Sequence, residues 1–219
     1  MSSSTIDTIE RTANTLPADA ILTSRLTHSD VISAHMSDVR RTLHELPVQA
    51  VYNVVEVLRE CRDRGNFIYV AGNGGSASTA SHWVNDLGKA TKRSGRRPIR
   101  AMCLSDNISW FSALSNDEGY DRSLSGQLEN FAAPGDILIC ISASGNSPNL
   151  LQAVTLAHSR AVTCIGLLGF DGGALKSVVD HAIFIASPKG TYELVEDVHM
   201  AVCHAITKCL IADRADCDK

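Results

Sequence analysis

The sequence predicts an α/β fold, with a parallel five-stranded sheet covered by helices on both faces. Three observations carry this. Five short runs are apolar at nearly every position: Phe67–Ala71, Ile99–Leu104, Ile137–Ile141, Thr163–Leu168 and Ala182–Ala186. Stretches with helical spacing separate them, and each run ends at a small, polar or proline residue that marks a turn. Continuous apolar runs suit strands buried on both sides, whereas a half-exposed strand alternates.

Taken in order, residues 1–28 are polar and Ser/Thr-rich and read as an N-terminal arm. From Ser29, an N-cap candidate, apolar residues recur at Val31, Ile32, Met36, Val39, Leu43 and Leu46 with helical spacing. Pro47 interrupts the pattern and suits the first turn of a second helix. That helix carries Val48, Val51, Val55 and Leu58 and closes near Gly65. Strands and helices then alternate up to a last helix from about Tyr192 into the Ile211 region. Residues 29–213 form a single domain, followed by a short tail at 214–219; a chain of 219 residues is long enough to bury a real core.

Charge and composition exclude several classes. A net charge of −4 argues against a general nucleic-acid binder. The one basic run, Lys89 to Arg100, is broken by Gly95 and Pro98 and reads as a solvated loop. No run is apolar for long enough to span a bilayer, and the first residues lack the basic and apolar regions of a secretion signal. The 7 cysteines include no CxxC pair, and several fall in apolar patterns. Free thiols in a reducing compartment, and hence a cytoplasmic protein, are expected.

Ligands of parallel sheets bind beyond the carboxyl ends of the strands. Two loops fall there. Gly72-Asn73-Gly74-Gly75-Ser76 leads from the first strand into a helix. Its glycines bring backbone N–H groups close to a ligand, and the helix N-terminus favours negative charge. That helix carries His82 and Asp86, four residues apart on one face. The second loop, Ser142-Ala143-Ser144-Gly145-Asn146-Ser147, offers hydroxyls and backbone N–H groups to a phosphate; read blandly, Ser144 or Asn146 only caps the next helix. Gly72-x-Gly74-x-x-Ala77 also fits a loose dinucleotide fingerprint. The acidic residue that should follow, Asp106, lies too far along, and no Walker lysine follows either loop. No nucleotide cofactor is expected. On the last helix, Glu196 and His199 share a face, and His204 lies roughly 80° from Glu196 around the axis.

In this order the motifs Gly72–Ser76 with His82, Ser115-Asn116-Asp117, Ser142–Ser147 and His199…His204 resemble a sugar isomerase (SIS) domain, and most nearly its phosphoheptose isomerase branch. The resemblance spans roughly residues 30–213. It implies a three-layer flavodoxin-like fold, a homotetramer assembled through the N-terminal helices, and active sites between subunits. It also implies that Asn73, Gly74, Gly75 and Ser76 contact the sugar, that Asn116 and Asp117 line the site, and that Ser142, Ala143, Ser144 and Ser147 hold the phosphate. His82, Asp86, Glu196 and His204 fall on positions that bind one zinc ion per site in some members, Glu196 also on a substrate position, and Asp86 and His204 on the acid/base pair. Three residues depart from the branch: Asp86 replaces Glu, Glu196 replaces Gln and Ala143 replaces Thr.

The activity so implied is aldose–ketose isomerisation of a phosphosugar, sedoheptulose 7-phosphate, through an enediol. Asp86 or Glu196 would abstract the carbon proton and His204 would shuttle the second proton. The rival is a non-catalytic SIS module that senses a sugar phosphate or binds a protein such as the replication initiator DnaA. Retention of His204 and of a carboxylate at position 86 favours the enzyme.

Overall fold

The structure, a computed structural model, describes residues 26–213. The described residues fall into two compact units, divided between Glu45 and Leu46. In the first, helix α1 spans His28–His44. Its cap is Thr27 and not Ser29. The Thr27 hydroxyl accepts the Asp30 N–H, and the Asp30 carboxylate accepts the Thr27 N–H, so the Thr-x-x-Asp spacing closes a capping box. Val31, Ile32 and Met36 of α1 are exposed.

In the second unit, α2 (Val48–Arg64) starts one residue after Pro47, which is its N-cap. Then follow β1 (Phe67–Gly72), α3 (Gly75–Asn85), β2 (Arg100–Cys103), α4 (Ile108–Asp117), α5 (Ser125–Phe131), β3 (Ile137–Ser142), α6 (Pro148–Ser159), β4 (Thr163–Leu168), β5 (His181–Phe184) and α7 (Tyr192–Ala212). The five strands are all parallel, in the order β2-β1-β3-β4-β5. Every expected strand is present, with β5 starting one residue earlier and ending two earlier than its apolar run.

Strand residues alternate between two cores. Ile68 and Val70 of β1 and Ile139 and Ile141 of β3 face α2, α3 and α7, where Leu58, Trp83, Val202 and Ile206 are buried. Tyr69, Ala71, Leu138 and Cys140 face the other way, onto Leu124 at the cap of α5, Leu128 of α5, and Leu150 and Val154 of α6. Each fully buried aliphatic side chain contributes about 2 kcal/mol by leaving water. Continuous apolar strands are thus explained: both sheet faces are covered. Cys61, Cys103, Cys140, Cys164 and Cys203 are free and buried, and Cys209 is free and exposed.

This strand order places a topological switch point between β1 and β3, whose next connections leave to opposite sides of the sheet. Gly72 at the end of β1 lies in register with Ile141, one residue before the end of β3. The two loops singled out from the sequence therefore emerge side by side.

Candidate active site

Both loops run into helices whose N-termini lack a side-chain cap. Gly74 precedes α3 with φ 54° and ψ −127°, a conformation open to glycine and to few other residues. Ser147 is the N-cap of α6, yet its hydroxyl makes no capping bond, and Pro148 follows it. The bland reading of the serine loop does not hold. Asn146 accepts the Ala174 N–H through Oδ1 and donates to the Ser144 carbonyl, tying the loop to a neighbouring turn instead of capping α6. Ser142 Oγ accepts the Gly145 N–H at 3.0 Å, which curls the loop. Two uncapped helix N-termini at a switch point form a strong site for an anion. The Ala143 methyl is buried with Phe170 and Val195, so this position is apolar packing beneath the loop.

Helix α3 and helix α7 meet just behind these loops. Trp83 is fully buried and its indole N–H donates to Thr207 Oγ1 at 3.2 Å, pinning one helix to the other. Trp83 follows His82, and Thr207 lies one turn past His204, so this bond brings the two histidines together, their rings edge-on at 66°. Their Nε2 atoms lie 3.1 Å apart. Asp86 Oδ2 completes the triangle, 3.5 Å from His82 Nε2 and 3.7 Å from His204 Nε2. Asp86 also opens a π-helical turn, Asp86–Ala90, that continues α3; such widened turns recur at functional sites.

Three donor atoms at these spacings fit a metal. Ligands about 2.1 Å from a tetrahedral Zn²⁺ are roughly 3.4 Å from one another, and two imidazoles plus a carboxylate form an accepted donor set. Among the described residues, His82, Asp86 and His204 form such a group. Glu196, expected as a fourth ligand, lies outside it. Its carboxylate sits against Gly75, where a Cβ added to that glycine would fall directly on the carboxylate oxygens. The glycine at 75 thus makes room for an acid at the uncapped start of α3. Burial raises the pKa of Glu196, with the neighbouring Glu193 and Asp197 adding to the shift. That moves a carboxylate toward the range useful for proton transfer.

Residues 28–169 match the family model for the SIS domain. The chain belongs to the SIS domain family. It is 40% identical over 156 residues to the phosphoheptose isomerase of Trichlorobacter lovleyi, covering 71% of this chain and 78% of that protein. It is 36% identical over 205 residues to the lincomycin biosynthesis protein LmbN of Streptomyces lincolnensis, covering 88% of this chain and 74% of that protein. The fold superposes on the phosphoheptose isomerase of Neisseria gonorrhoeae with a TM-score of 0.78 at 27% identity, over 85% of this chain and all of that one. Within the SIS family the chain groups with the phosphoheptose isomerases.

The other SIS motif residues distribute unevenly. Asn116 and Asp117 end α4, are exposed, and bond to each other at 2.7 Å. Asp106 accepts the Ser81 hydroxyl at 3.1 Å and so holds the start of α4 to α3. His199 does not join the site. It is fully buried, and neither ring nitrogen has a hydrogen-bond partner among the described residues. Burial pushes its pKa down to about 4; the Leu168 carbonyl pulls the other way but is not placed to accept a bond. Two residues that the motifs did not include, Tyr120 and Asn149, both reach Asn73.

Proposed function

We propose that this chain is an aldose–ketose isomerase acting on a phosphosugar, sedoheptulose 7-phosphate, giving a heptose 7-phosphate through an enediol. The observation that carries the reading is the convergence of His82, Asp86 and His204 beside two uncapped helix N-termini at the switch point. One loop suits a phosphate and the other a sugar's reacting end, with acid/base groups between them.

Ser142, Ser144 and Ser147, together with the Ala143 backbone, take the phosphate at the start of α6. Holding that remote group places C1 and C2 over the glycine loop and makes the proton transfers effectively intramolecular. Asn73, Gly74, Gly75 and Ser76 bind the carbonyl end, and Asn116 and Asp117 line the rim. Asp86 removes the proton from the carbon next to the carbonyl. His204, held at hydrogen-bond distance from His82 and facing Asp86, passes the second proton between the oxygens. The uncapped N–H groups of α3 stabilise the enediolate that forms. Glu196 stands over those groups and binds the sugar hydroxyls; its raised pKa makes it the second carboxylate able to accept a proton. A zinc ion would be held by His82, Asp86 and His204, with Glu196 able to join only by swinging toward them. It would supply Lewis-acid polarisation of the carbonyl.

We further infer a homotetramer with sites between subunits. Support comes from the exposed apolar residues of the two N-terminal helices: Val31, Ile32 and Met36 on α1, and Val48 and Tyr52 on α2. Six described thiols without a disulfide support a cytoplasmic setting, and no helix among the described residues is long and apolar enough to cross a membrane. The test is a turnover assay on sedoheptulose 7-phosphate with Asp86→Asn and His204→Ala as controls. Turnover lost in both variants supports the assignment. Wild-type protein inert on C6–C7 ketose phosphates that nevertheless binds a protein partner tightly means the non-catalytic module instead.

A further inference from the structure

Asn73, the first residue after β1, has almost no hydrogen-bonding capacity left. Its Oδ1 accepts two bonds, from Tyr120 Oη at 2.7 Å and from Asn149 Nδ2 at 2.9 Å. Its Nδ2 donates to Asn149 Oδ1 at 3.0 Å. The two amides therefore form a reciprocal pair, and the Tyr120 hydroxyl, donating from outside the pair, marks which end of Asn73 is the oxygen. Asn149 is fully buried and is the second residue of α6, directly after the serine loop. Its Nδ2 also donates to Ser123 Oγ at 3.3 Å. Ser123 is itself fully buried, and Gln127 Nε2 bonds both its carbonyl and that of Leu104, each at 2.8 Å. The amide of Asn73 thus rests on a support that reaches three loops at the carboxyl end of the sheet.

We propose that Tyr120 and Asn149 are positioning residues for the isomerase site, locking the Asn73 amide so that it offers the sugar one N–H donor and no acceptor. The inference rests on the isomerase reading above. An amide has two acceptor sites on oxygen and two N–H groups; here both acceptor sites and one N–H are taken. The remaining N–H can serve only an acceptor on the ligand. A carbonyl oxygen that gains negative charge on the way to an enediolate is such a group, and a donor fixed in advance stabilises it without reorganisation. Freed from Tyr120 or Asn149, the amide can rotate and present its oxygen, which repels that charge.

The test is a double-mutant cycle in the full-length protein, read in kcat and KM for sedoheptulose 7-phosphate and, separately, in its Kd by calorimetry. Tyr120→Phe removes one hydroxyl from a half-exposed ring that still packs edge-on against Phe111, so the fold is kept. It is expected to lower kcat/KM about threefold to tenfold, the size of one hydrogen bond, mostly in kcat. In an Asn73→Ala background the same change is expected to cost less than about twofold, because the residue it acts through is gone. Asn149→Asp keeps the shape but turns a donor toward Asn73 Oδ1 into an acceptor, and the loss should be larger. Equal losses from Tyr120→Phe in both backgrounds overturn the proposal while leaving the isomerase reading intact. Wild-type protein that binds the sugar phosphate without turning it over overturns that reading alone, and the cycle in Kd then decides the proposal. Absence of both binding and turnover overturns the two together.

Discussion

His82 and His204 are 122 residues apart in sequence, yet their Nε2 atoms lie 3.1 Å from each other. Two imidazole nitrogens can approach this closely only if one carries a proton and the other a lone pair, or if both serve a cation. Asp86 Oδ2, within 3.7 Å of both, favours either arrangement. The same triangle can therefore relay a proton or hold zinc.

Metal binding tests the triangle directly. Wild-type protein should bind about one Zn²⁺ per chain in equilibrium dialysis, as a three-residue donor set with one open position predicts. His82→Ala and His204→Ala should each weaken binding by at least about tenfold, while Glu196→Gln, whose carboxylate lies outside the triangle, should change it far less. An equal loss in the Glu196 variant would show that Glu196 is a ligand of the same rank.

Gly75→Ala should separate activity from stability. The added Cβ displaces the Glu196 carboxylate, which is the end of a flexible side chain, and alanine suits a helix. Unfolding free energy should change by less than about 1 kcal/mol. Turnover should fall by about tenfold or more, since a shift of about an ångström at the reacting centre is costly. Full activity in this variant would remove Glu196 from the mechanism.

His199 predicts a pH dependence of stability. In the folded chain burial keeps its imidazole neutral down to about 4, whereas the unfolded chain takes up the proton near 6.5. The unfolded state therefore binds more protons between these values. Stability is complete above pH 6.5 and falls as the pH drops through the window, by about 3 kcal/mol for this group. His199→Leu should lose that component. Urea unfolding of both proteins at pH 7, 5.5 and 4.5 should show curves that diverge toward acid; parallel curves would contradict the assignment.

Trp83→Phe should weaken the joint between α3 and α7. It keeps a ring in the core but leaves Thr207 Oγ1 without its donor, at a cost of about 1–3 kcal/mol. Because this bond seats His82 against His204, kcat should fall as well, while KM, set by the loops at the strand ends, should hardly move. A change in Tm with kcat intact would mean that the histidines are seated by other contacts.

Much of this was legible in the chain. The strands announced themselves because both sheet faces are covered and nearly every strand position is apolar. The two loops were legible because glycine and serine clusters after strands have few purposes. The branch motifs pointed to His82, Asp86 and His204, but spacing alone left His204 roughly 80° from Glu196, and only the packing of α3 on α7 says which helix face meets which. Tyr120 and Asn149 were missed because their bonds to Asn73 join residues 47 and 76 positions apart, with no periodic signal. The π-turn at Asp86 and the burial of His199 left no mark in composition either. Thr27 was readable in principle, since Thr-x-x-Asp is a capping-box spacing, but Ser29 offered a competing cap.

If Asp86 and His204 isomerise a phosphosugar through an enediol, hydrogen from the solvent must enter the product. The most direct test is proton NMR of sedoheptulose 7-phosphate incubated with the protein in D₂O. An aldoheptose 7-phosphate should appear carrying solvent deuterium at C2, and Asp86→Asn should slow its appearance by about 10²–10⁴-fold, the usual contribution of a general base. Failure to form any aldose, or formation of one with no solvent hydrogen at C2, would contradict the enediol mechanism.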